Sequence, residues 1–351
     1  MSAYKEIKCV VWDLDNTIWD GILLESENVK LKEGIINVLN ELDNRGILHS
    51  IASRNNYDDA MRKLKEFGID NWFLYPEINW NSKSKSIDNI KKNLNIGIDS
   101  IMFIDDQEFE LEEVGYGCKG VETFNAADYL LLLDHKRLNP RFITSDSKRR
   151  RLMYLEDFKR SKLEQEYEGP QESFLKSLNM SFIISDAKEE DLKRAEELTI
   201  RTNQLNTTGN TYSFNELNEF RKCANYKLYI CELTDKFGSY GKIGLALIEL
   251  NKSTWNIKLF LMSCRVMSRG VGSVLLSFIM HQAQKENKRL LADFKQTDRN
   301  RMMYITYKFG NFKEISNDKK GNIVLENDLL QIQPIPGYVK LIYNEDSVTC
   351  D

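Results

Sequence analysis

The chain has few of the residues that mark several special classes of protein. Only 5 of its 351 residues are proline and only 3 are histidine. Its 6 cysteines are scattered and form no C-x-x-C pair, so neither a zinc site nor a disulfide scaffold is indicated, and we expect free thiols. With 42% hydrophobic and 29% charged residues, the chain is neither disordered nor collagen-like. Globular domains are therefore expected.

An excess of basic charge and long apolar runs are also missing. Lys and Arg number 49 against 53 Asp and Glu, which gives a formal charge of −4 and a pI of about 5.7. The electrostatic footprint of a nucleic-acid-binding protein is absent. The longest apolar runs, such as residues 129–133, are far shorter than the ~20 residues that cross a bilayer. The first residues lack the apolar core of a signal peptide, so we expect a cytoplasmic protein without nucleic-acid or membrane partners.

The length and the patterning of the chain predict two domains. A chain of 351 residues exceeds the usual domain size of roughly 100–200 residues. Residues 6–125 alternate short apolar runs with helical patterns, which is typical of a parallel α/β sheet, and we place the first domain at residues 1–145. The predicted strands are Ile7–Trp12, Ile47–Ala52, Trp72–Leu74, Ser100–Ile104 and Gly120–Phe124.

A charged segment separates this region from a second domain. Residues 146–170 are dense in charge and end at Gly169-Pro170, which predicts a solvated helical linker. Residues 171–351 mix strands and helices, with a hairpin turn at Asp235-Lys-Phe-Gly238. The predicted fold class is therefore a Rossmann-like parallel α/β domain followed by a mixed α+β domain.

Pairs of aspartates follow two of the predicted strands. The first strand runs into Asp13-Leu-Asp15, and the fourth runs into Asp105-Asp106. The carboxyl ends of parallel strands border the crevice where α/β proteins bind ligands. There one carboxylate could bind a cation and attack phosphorus while another handles a proton. Because Mg²⁺ takes oxygen ligands from several loops, these residues predict an Mg²⁺ site.

A hydroxyl group and an ammonium group complete the pattern. Ser53 follows the second predicted strand and Lys83 precedes a helix, so both offer donors for phosphate oxygens. Taken singly, a D-x-D is often a turn, an aspartate pair often caps a helix, and a lone lysine is usually solvated. The order D-x-D-x-T, Ser, Lys, D-D at successive strand ends is much harder to obtain by chance. It resembles the haloacid dehalogenase superfamily of phosphotransferases, in which the first Asp is the nucleophile and the second the acid and base.

A closer resemblance covers nearly the whole chain. The segments that carry it are Cys9–Glu25, Trp80–Ser84, Phe103–Glu110, Arg201–Thr208, Asp235–Gly238, Met262–Gly270 and, for a GNAT-like part, Tyr304–Phe312. They resemble the FkbH-like family, whose members load a glyceryl unit from 1,3-bisphosphoglycerate onto an acyl carrier protein. This resemblance implies a subfamily IIIC phosphatase domain fused to a domain similar to GNAT acyltransferases.

The resemblance implies a bifunctional glyceryltransferase/phosphatase with Mg²⁺ as its cofactor. A cysteine would take the glyceryl group as a thioester, and the phosphopantetheine thiol of an acyl carrier protein would receive it. The first domain would remove the remaining phosphate. The implied residues are Asp13, Asp15 and Cys264 for catalysis, Asp13, Asp15 (through its carbonyl), Asp105 and Asp106 for the metal, and Thr17, Ser53, Arg54, Asn55, Lys83, Asn203, Gln204 and Arg265 for substrate and phosphate.

The second domain has its own candidate residues. A glycine-rich helix start at Arg269–Gly272 favours the phosphates of a pantetheine-type group. Met267 stands where the GNAT pattern usually has Arg or Gln, which disfavours ordinary acetyl-CoA chemistry. Cys264 lies just before two arginines, which favour a thiolate, although most free cysteines are small buried hydrophobes. His281 could serve as its base, although a lone helical histidine is more often simply packed.

Other interpretations stay open on the sequence. The chain could be an Mg²⁺-dependent phosphatase of small phosphoesters with an accessory second domain, or a scaffold that binds a carrier protein. A stand-alone acetyltransferase is the weakest option. The polar residues 203–207 could line a pantetheine channel or simply end a helix. The basic run Lys148–Arg151 could meet an acidic carrier protein or form a solvated helix face.

Overall fold

The computed structural model describes residues 5–318 and 320–344 of the chain. It divides into two compact units, Met1–Phe158 and Lys159–Asp351. The division lies inside the segment that the sequence marks as a linker, within a helix that runs from Arg150 to Glu166. In the described parts, no helix is both long enough and apolar enough to cross a bilayer. Five cysteines are free thiols, and Cys350 lies outside the described residues.

The first unit is built on a parallel sheet. Its strands are β1 (Cys9–Trp12), β2 (Trp19–Asp20), β3 (Lys30–Leu31), β4 (Leu48–Ser53), β5 (Glu77–Ile78), β6 (Ile101–Asp105) and β7 (Glu122–Asn125). Its helices are α1 (Ile35–Asn44), α2 (Tyr57–Glu66), α3 (Lys83–Leu94), α4 (Glu108–Gly117), α5 (Ser145–Lys148) and the boundary helix α6 (Arg150–Glu166). Five strands form a sheet in the order β5-β4-β1-β6-β7, with every neighbouring pair parallel, while β2 and β3 form a small antiparallel pair.

The central strand β1 shows why this sheet lies inside the unit. All four of its residues are fully buried. Because successive side chains of a strand point to opposite faces, Val10 and Trp12 join one apolar cluster while Cys9 and Val11 join another. The strand order reverses at β1, which has β4 on one side and β6 on the other. Such a reversal creates a crevice at the carboxyl ends of these strands.

Four of the five predicted strands of this unit are confirmed with small shifts at their ends, and the strand predicted at Trp72–Leu74 is wrong. Residues Asp70–Trp72 form a 3-10 turn, and the edge strand is β5. Phe73 makes one isolated bridge to His49 and packs into the core. A short apolar run can be buried as a strand of the sheet or as a turn that packs against the core. Hydrophobic periodicity does not distinguish these two structures.

The second unit is built on a mixed sheet. Its strands are β8 (Met180–Asp186), β9 (Tyr226–Asp235), β10 (Gly238–Leu250), β11 (Thr254–Met262), β12 (Arg289–Lys295), β13 (Lys313–Asn317), β14 (Asn322–Asn327) and β15 (Val339–Asn344). Its helices are α7 (Gln171–Ser177), α8 (Leu192–Arg201), α9 (Phe214–Lys222), α10 (Val271–Lys285) and α11 (Arg301–Phe309). The strand order is β13-β14-β12-β11-β10-β9-β8-β15.

This sheet confirms the predicted mixed α+β character of the second unit. The pairs β11-β12 and β15-β8 are parallel, and the other neighbouring pairs are antiparallel. The hairpin predicted from the sequence is also confirmed, because β9 ends at Asp235 and β10 begins at Gly238. The predicted fold class, a Rossmann-like parallel-sheet domain followed by a mixed α+β domain, is therefore correct.

The chain itself fills the space where β11 and β12 separate. The two strands pair through only four residues each, Thr254–Ile257 with Arg289–Ala292. Farther along, the Thr207 backbone N–H donates to the Phe260 carbonyl at 3.1 Å, and the Lys295 N–H donates to the Thr207 carbonyl at 3.0 Å. The loop that follows α8 thus continues the hydrogen bonding between the two strands.

Candidate active site

Three charged side chains meet where the strand order of the first unit reverses. Asp13 directly follows β1, Asp105 ends β6, and Lys83 begins α3. Lys83 Nζ donates to Asp13 Oδ1 at 2.8 Å and to Asp105 Oδ2 at 2.5 Å. All three side chains are almost completely buried. Since a buried charge requires a partner, the lysine compensates the two carboxylates that the strand ends bring together.

Burial dominates the protonation behaviour of this cluster. It raises the pKa of Asp13 to about 7; Lys83 works against this rise and Asp105 adds to it. Burial opposes the charge on Lys83, but the two carboxylates raise its pKa overall. The pKa of Asp106 is also raised, first by burial and then by Asp105. One ammonium group thus faces several carboxyl groups, and the cluster has too little positive charge to keep all of them ionised.

The carboxylates offer a ligand set for a divalent cation. Asp13, Asp105 and Asp106 each provide an oxygen, and these oxygens lie within 4.8 Å of one another. Asp106 Oδ1 is buried and has no hydrogen-bond partner among the described residues, although buried polar atoms normally have one. Carboxylate oxygens from two loops and an unused buried acceptor fit the hard ion Mg²⁺. The Asp15 carboxylate lies outside this group.

Asp15 is held by hydrogen bonds of its own. Trp19 Nε1 and the Leu23 backbone N–H donate to Asp15 Oδ1 at 2.8 and 3.1 Å. Asn55 Nδ2 donates to Asp15 Oδ2 at 3.0 Å. The chain turns back toward Asp15 through Asn16. The φ of Asn16 is 53°, a left-handed conformation that asparagine adopts more readily than most residues. Asn55, predicted to bind phosphate, is placed against the second aspartate.

The other predicted phosphate ligands of this unit differ in their exposure and in their partners. Ser53 ends β4, and its side chain is among the groups that counter the rise in the pKa of Asp13. Arg54 is 40% exposed and pairs with Glu110 at 3.1 Å. Thr17 is fully buried, and its hydroxyl has no partner among the described residues. Sequence reasoning gave no role to Glu110, whose only signal is its place in the first turn of the helix that follows Asp105-Asp106.

The predicted residues of the second unit do not form a comparable cluster. Cys264 is exposed at the start of the turn Cys264–Arg269 and makes no hydrogen bond within the described residues. Arg269 is buried and pairs with Glu164 at 3.1 Å. The remaining positions are exposed or partly exposed: Asn203, Gln204 and His281 are exposed, and Arg265 is half-buried.

An apolar pocket lies beside the glycine-rich start of α10. Its walls include Phe260, Met262, Val266 and Gly270. Met267, which replaces the polar residue of the GNAT pattern, also lines it. Cys264 is not among the described residues that line this pocket. The pocket is therefore next to the predicted phosphate-binding helix start but is not formed by the candidate thiol.

Two other polar segments have structural partners. The side chain of Asn206, part of the predicted pantetheine-channel cluster, accepts from the Thr208 and Gly209 N–H groups at 3.1 and 2.9 Å. In the basic run, Arg150 donates to the Gly46 carbonyl at 2.8 Å, and Arg151 pairs with Asp43 at 3.0 Å. The basic run is thus not an open patch, because two of its four cations bind within the first unit.

A family model gives an independent view of the first unit. Residues 17–113 match the model of haloacid dehalogenase-like hydrolases. The first unit contains a haloacid dehalogenase-like hydrolase domain. The matched segment includes Ser53, Lys83 and Asp105, and it begins just after Asp13 and Asp15.

Several solved structures are similar to parts of the chain. The N-terminal part of BF1531 from Bacteroides fragilis, which contains a phosphatase domain complexed with Mg, is 32% identical over 38% of this chain and 40% of that chain, with a TM-score of 0.32. The chain therefore spans only 40% of that protein. The ribosomal-protein-S18-alanine N-acetyltransferase of Escherichia coli is 14% identical over 41% of this chain and 92% of that chain, with a TM-score of 0.33.

A third structure, of the putative acetyltransferase yncA from Salmonella typhimurium with its cofactor acetyl-CoA, is 16% identical over 44% of this chain and 97% of that chain, with a TM-score of 0.33. No curated protein sequence matches the chain significantly. The hydrolase assignment of the first unit rests on the family model and on the buried cluster of Asp13, Lys83 and Asp105.

Proposed function

We propose that the protein is a bifunctional glyceryltransferase/phosphatase that uses 1,3-bisphosphoglycerate and loads glyceryl onto an acyl carrier protein. The observation that carries the phosphatase half is the buried cluster in which Lys83 bridges Asp13 and Asp105. The resemblance to the FkbH-like family supplies the substrate and the carrier protein. The two halves depend on different units, so the test below includes a variant in each unit.

In the phosphatase half, Asp13 is the nucleophile. One of its carboxylate oxygens attacks phosphorus, the bond from phosphorus to the substrate oxygen breaks, and Asp15 gives a proton to the departing alkoxide. Asp15 then takes a proton from water as that water attacks the aspartyl phosphate, which releases inorganic phosphate and restores the Asp13 carboxylate. When bound by Asp13, Asp105 and Asp106, Mg²⁺ supplies positive charge next to the phosphoryl oxygens.

Lys83 has a capacity that suits this reaction. Its ammonium group has three N–H donors, of which Asp13 and Asp105 take two. The third donor remains for a phosphoryl oxygen. The lysine thereby orients the nucleophile and holds the transferring group at the same time.

In the transferase half, the thiolate of Cys264 attacks the carbonyl carbon of the acyl phosphate. The carbon–oxygen bond to the phosphate breaks, phosphate leaves, and the acyl group is held as a thioester. A phosphopantetheine thiolate then attacks the same carbon, and Cys264 leaves as a thiolate. The exposure of Cys264 supports this role, and the apolar pocket beside α10 offers a place for the pantetheine arm.

Intact mass spectrometry of a phosphopantetheine-loaded carrier protein tests the whole proposal. The carrier is incubated with the enzyme, Mg²⁺ and 1,3-bisphosphoglycerate generated in situ. We expect a glyceryl mass gain with the parent enzyme, a phosphoglyceryl gain with Asp13→Asn, and no gain with Cys264→Ala. Cys223→Ala is the matched control because Cys223 is also an exposed free thiol. No carrier adduct across several candidate carriers, with phosphate still released, would refute the transferase half.

A second candidate function is an Mg²⁺-dependent phosphatase of small phosphoesters with an accessory second domain. It is favoured by the contrast between the units: the first has a buried charged cluster, whereas Cys264 is exposed and its neighbour Arg269 is already paired with Glu164. Phosphate release from small phosphoesters without a carrier, abolished by Asp13→Asn and unchanged by Cys264→Ala, would support this candidate. If no phosphoester were turned over with Mg²⁺, the remaining interpretation would be a scaffold that binds a carrier protein.

A further inference from the structure

The two carboxylate oxygens of Asp15 have different surroundings. Oδ1 accepts from Trp19 Nε1 at 2.8 Å and from the Leu23 N–H at 3.1 Å. Oδ2 accepts only from Asn55 Nδ2, at 3.0 Å, among the described residues. Each carboxylate oxygen has two acceptor positions. Among the described residues, both acceptor positions of Oδ1 are therefore occupied, and one acceptor position of Oδ2 is open.

The amide of Asn55 is itself fixed. The side chain is buried, with only 1% exposed, and it lies two residues after the end of β4. Its Oδ1 accepts the Asn56 backbone N–H at 3.0 Å, and its Nδ2 faces Asp15. The reverse orientation would set two acceptors against each other and two donors against each other. Asn55 thus links the loop after β4 to the loop after β1 in a defined direction.

Asp15 is the acid and base of the proposed phosphatase, and we propose that Asn55 is the residue that positions its carboxylate, so that Oδ2 is the oxygen that exchanges the proton. This inference rests on the phosphatase half of the proposed function. In the first step the Oδ2–H bond breaks, the proton moves to the departing alkoxide, and the electron pair stays on Oδ2. In the second step Oδ2 takes a proton from the attacking water. Without Asn55 the carboxylate rotates, and the proton is no longer directed at the leaving group.

Substrates with different leaving groups distinguish a positioning role of Asn55 from a phosphate-binding role and from a purely structural role. An alkoxide needs a proton as it departs, whereas p-nitrophenolate leaves readily without one. Loss of a positioning residue for the acid should therefore impair alkyl phosphates far more than p-nitrophenyl phosphate. A residue that bound the phosphate would raise KM for both substrates, and a purely structural residue would impair both equally.

The test compares single-turnover rates of leaving-group release from glycerol phosphate and from p-nitrophenyl phosphate, with the full chain and Mg²⁺. These rates report the first step alone. The variants are Asn55→Ala and Asn55→Asp, of which the second keeps the volume and the acceptor toward Asn56 but replaces the donor. Asn56→Ala is the matched control, because the adjacent Asn56 side chain is exposed and caps α2 through Asp58 and Asp59. Circular dichroism confirms that each variant is folded.

We expect both Asn55 variants to slow release from glycerol phosphate about 100-fold, and release from p-nitrophenyl phosphate less than about fivefold, with KM little changed. Asn56→Ala should leave both rates near those of the parent. Equal losses on the two substrates, no loss on either, or the same pattern in Asn56→Ala would overturn the role of Asn55 while leaving the phosphatase intact. A parent enzyme inactive on every phosphoester would instead refute the phosphatase on which the inference rests.

Discussion

Trp12 Nε1 donates a hydrogen bond to His49 Nδ1 at 3.1 Å inside the core of the first unit. The other ring nitrogen, Nε2, lies 3.0 Å from the Leu39 carbonyl. The imidazole must therefore be neutral, with its proton on Nε2, because a protonated Nδ1 could not accept from tryptophan. Burial acts in the same direction and lowers the pKa of His49 to about 4. A strand residue thus holds a histidine of the neighbouring strand in its neutral form.

This pair predicts acid sensitivity of the first unit. The pKa of His49 is near 6.5 in the unfolded chain and about 4 in the folded chain, so the unfolded chain binds the proton more readily. The contribution of neutral His49 to the unfolding free energy is therefore fully present above about pH 6.5 and is lost as the pH falls toward 4. We expect a loss of about 2 kcal/mol from this group between pH 7.5 and 5. Urea unfolding at the two pH values, followed by tryptophan fluorescence, measures it.

The histidine variants supply the control for that measurement. His49→Gln should be less stable than the parent at pH 7.5, but its stability should fall less on going to pH 5. His281→Gln, which changes an exposed histidine, should keep the pH dependence of the parent. An identical pH dependence for His49→Gln and the parent would contradict the assignment.

Removing the bridging lysine should be costly for the fold. Lys83→Met leaves Asp13 and Asp105 buried without their cation, and breaking a buried ion pair from one side costs about 3–5 kcal/mol. Thermal and urea unfolding measure the loss. Lys91→Met on the same helix, where the lysine is partly exposed and pairs with Asp88, should change stability by less than about 0.5 kcal/mol. Equal effects of the two substitutions would contradict the importance of the buried bridge.

Mg²⁺ should stabilise the protein through Asp106 and not through the Asp15 carboxylate. At a free Mg²⁺ concentration a hundredfold above its Kd, we expect a gain of about 2.7 kcal/mol in the unfolding free energy of the parent. Asp106→Asn should lose most of this gain. Asp15→Asn should keep it, because the Asp15 oxygens are hydrogen-bonded to Trp19, Leu23 and Asn55. Thermal unfolding with Mg²⁺ or with EDTA gives the answer, and loss of the gain in Asp15→Asn would contradict this ligand set.

The second unit has its own buried ion pair. Arg160 Nε and Nη2 donate to the two oxygens of Asp235 at 2.8 and 2.9 Å, and both side chains are fully buried. Arg160→Met should destabilise the unit by about 3–5 kcal/mol, since it leaves the carboxylate without its cation. Circular dichroism during urea unfolding measures the loss. The control Lys162→Met changes an exposed cation two residues away, and an effect of similar size there would refute the prediction.

Much of the fold and part of the site could be predicted from the sequence. Buried strands that end in Asp13, Ser53 and Asp105 are local patterns, and parallel strands bring their carboxyl ends to one edge of a sheet. The hairpin at Asp235–Gly238 is equally local. The strand predicted at Trp72–Leu74 was wrong because its apolar residues are buried by packing outside the sheet.

The sequence by itself determined the two-domain α/β and α+β architecture and the placement of aspartates at strand ends, because hydrophobic periodicity and turn residues act over a few positions. Only the tertiary structure decided which side chains pair. It set Asn55 on Asp15, joined Lys83 to both Asp13 and Asp105, and left Cys264 exposed. These contacts join residues far apart in the chain, so they depend on how strands and helices pack and carry no local pattern.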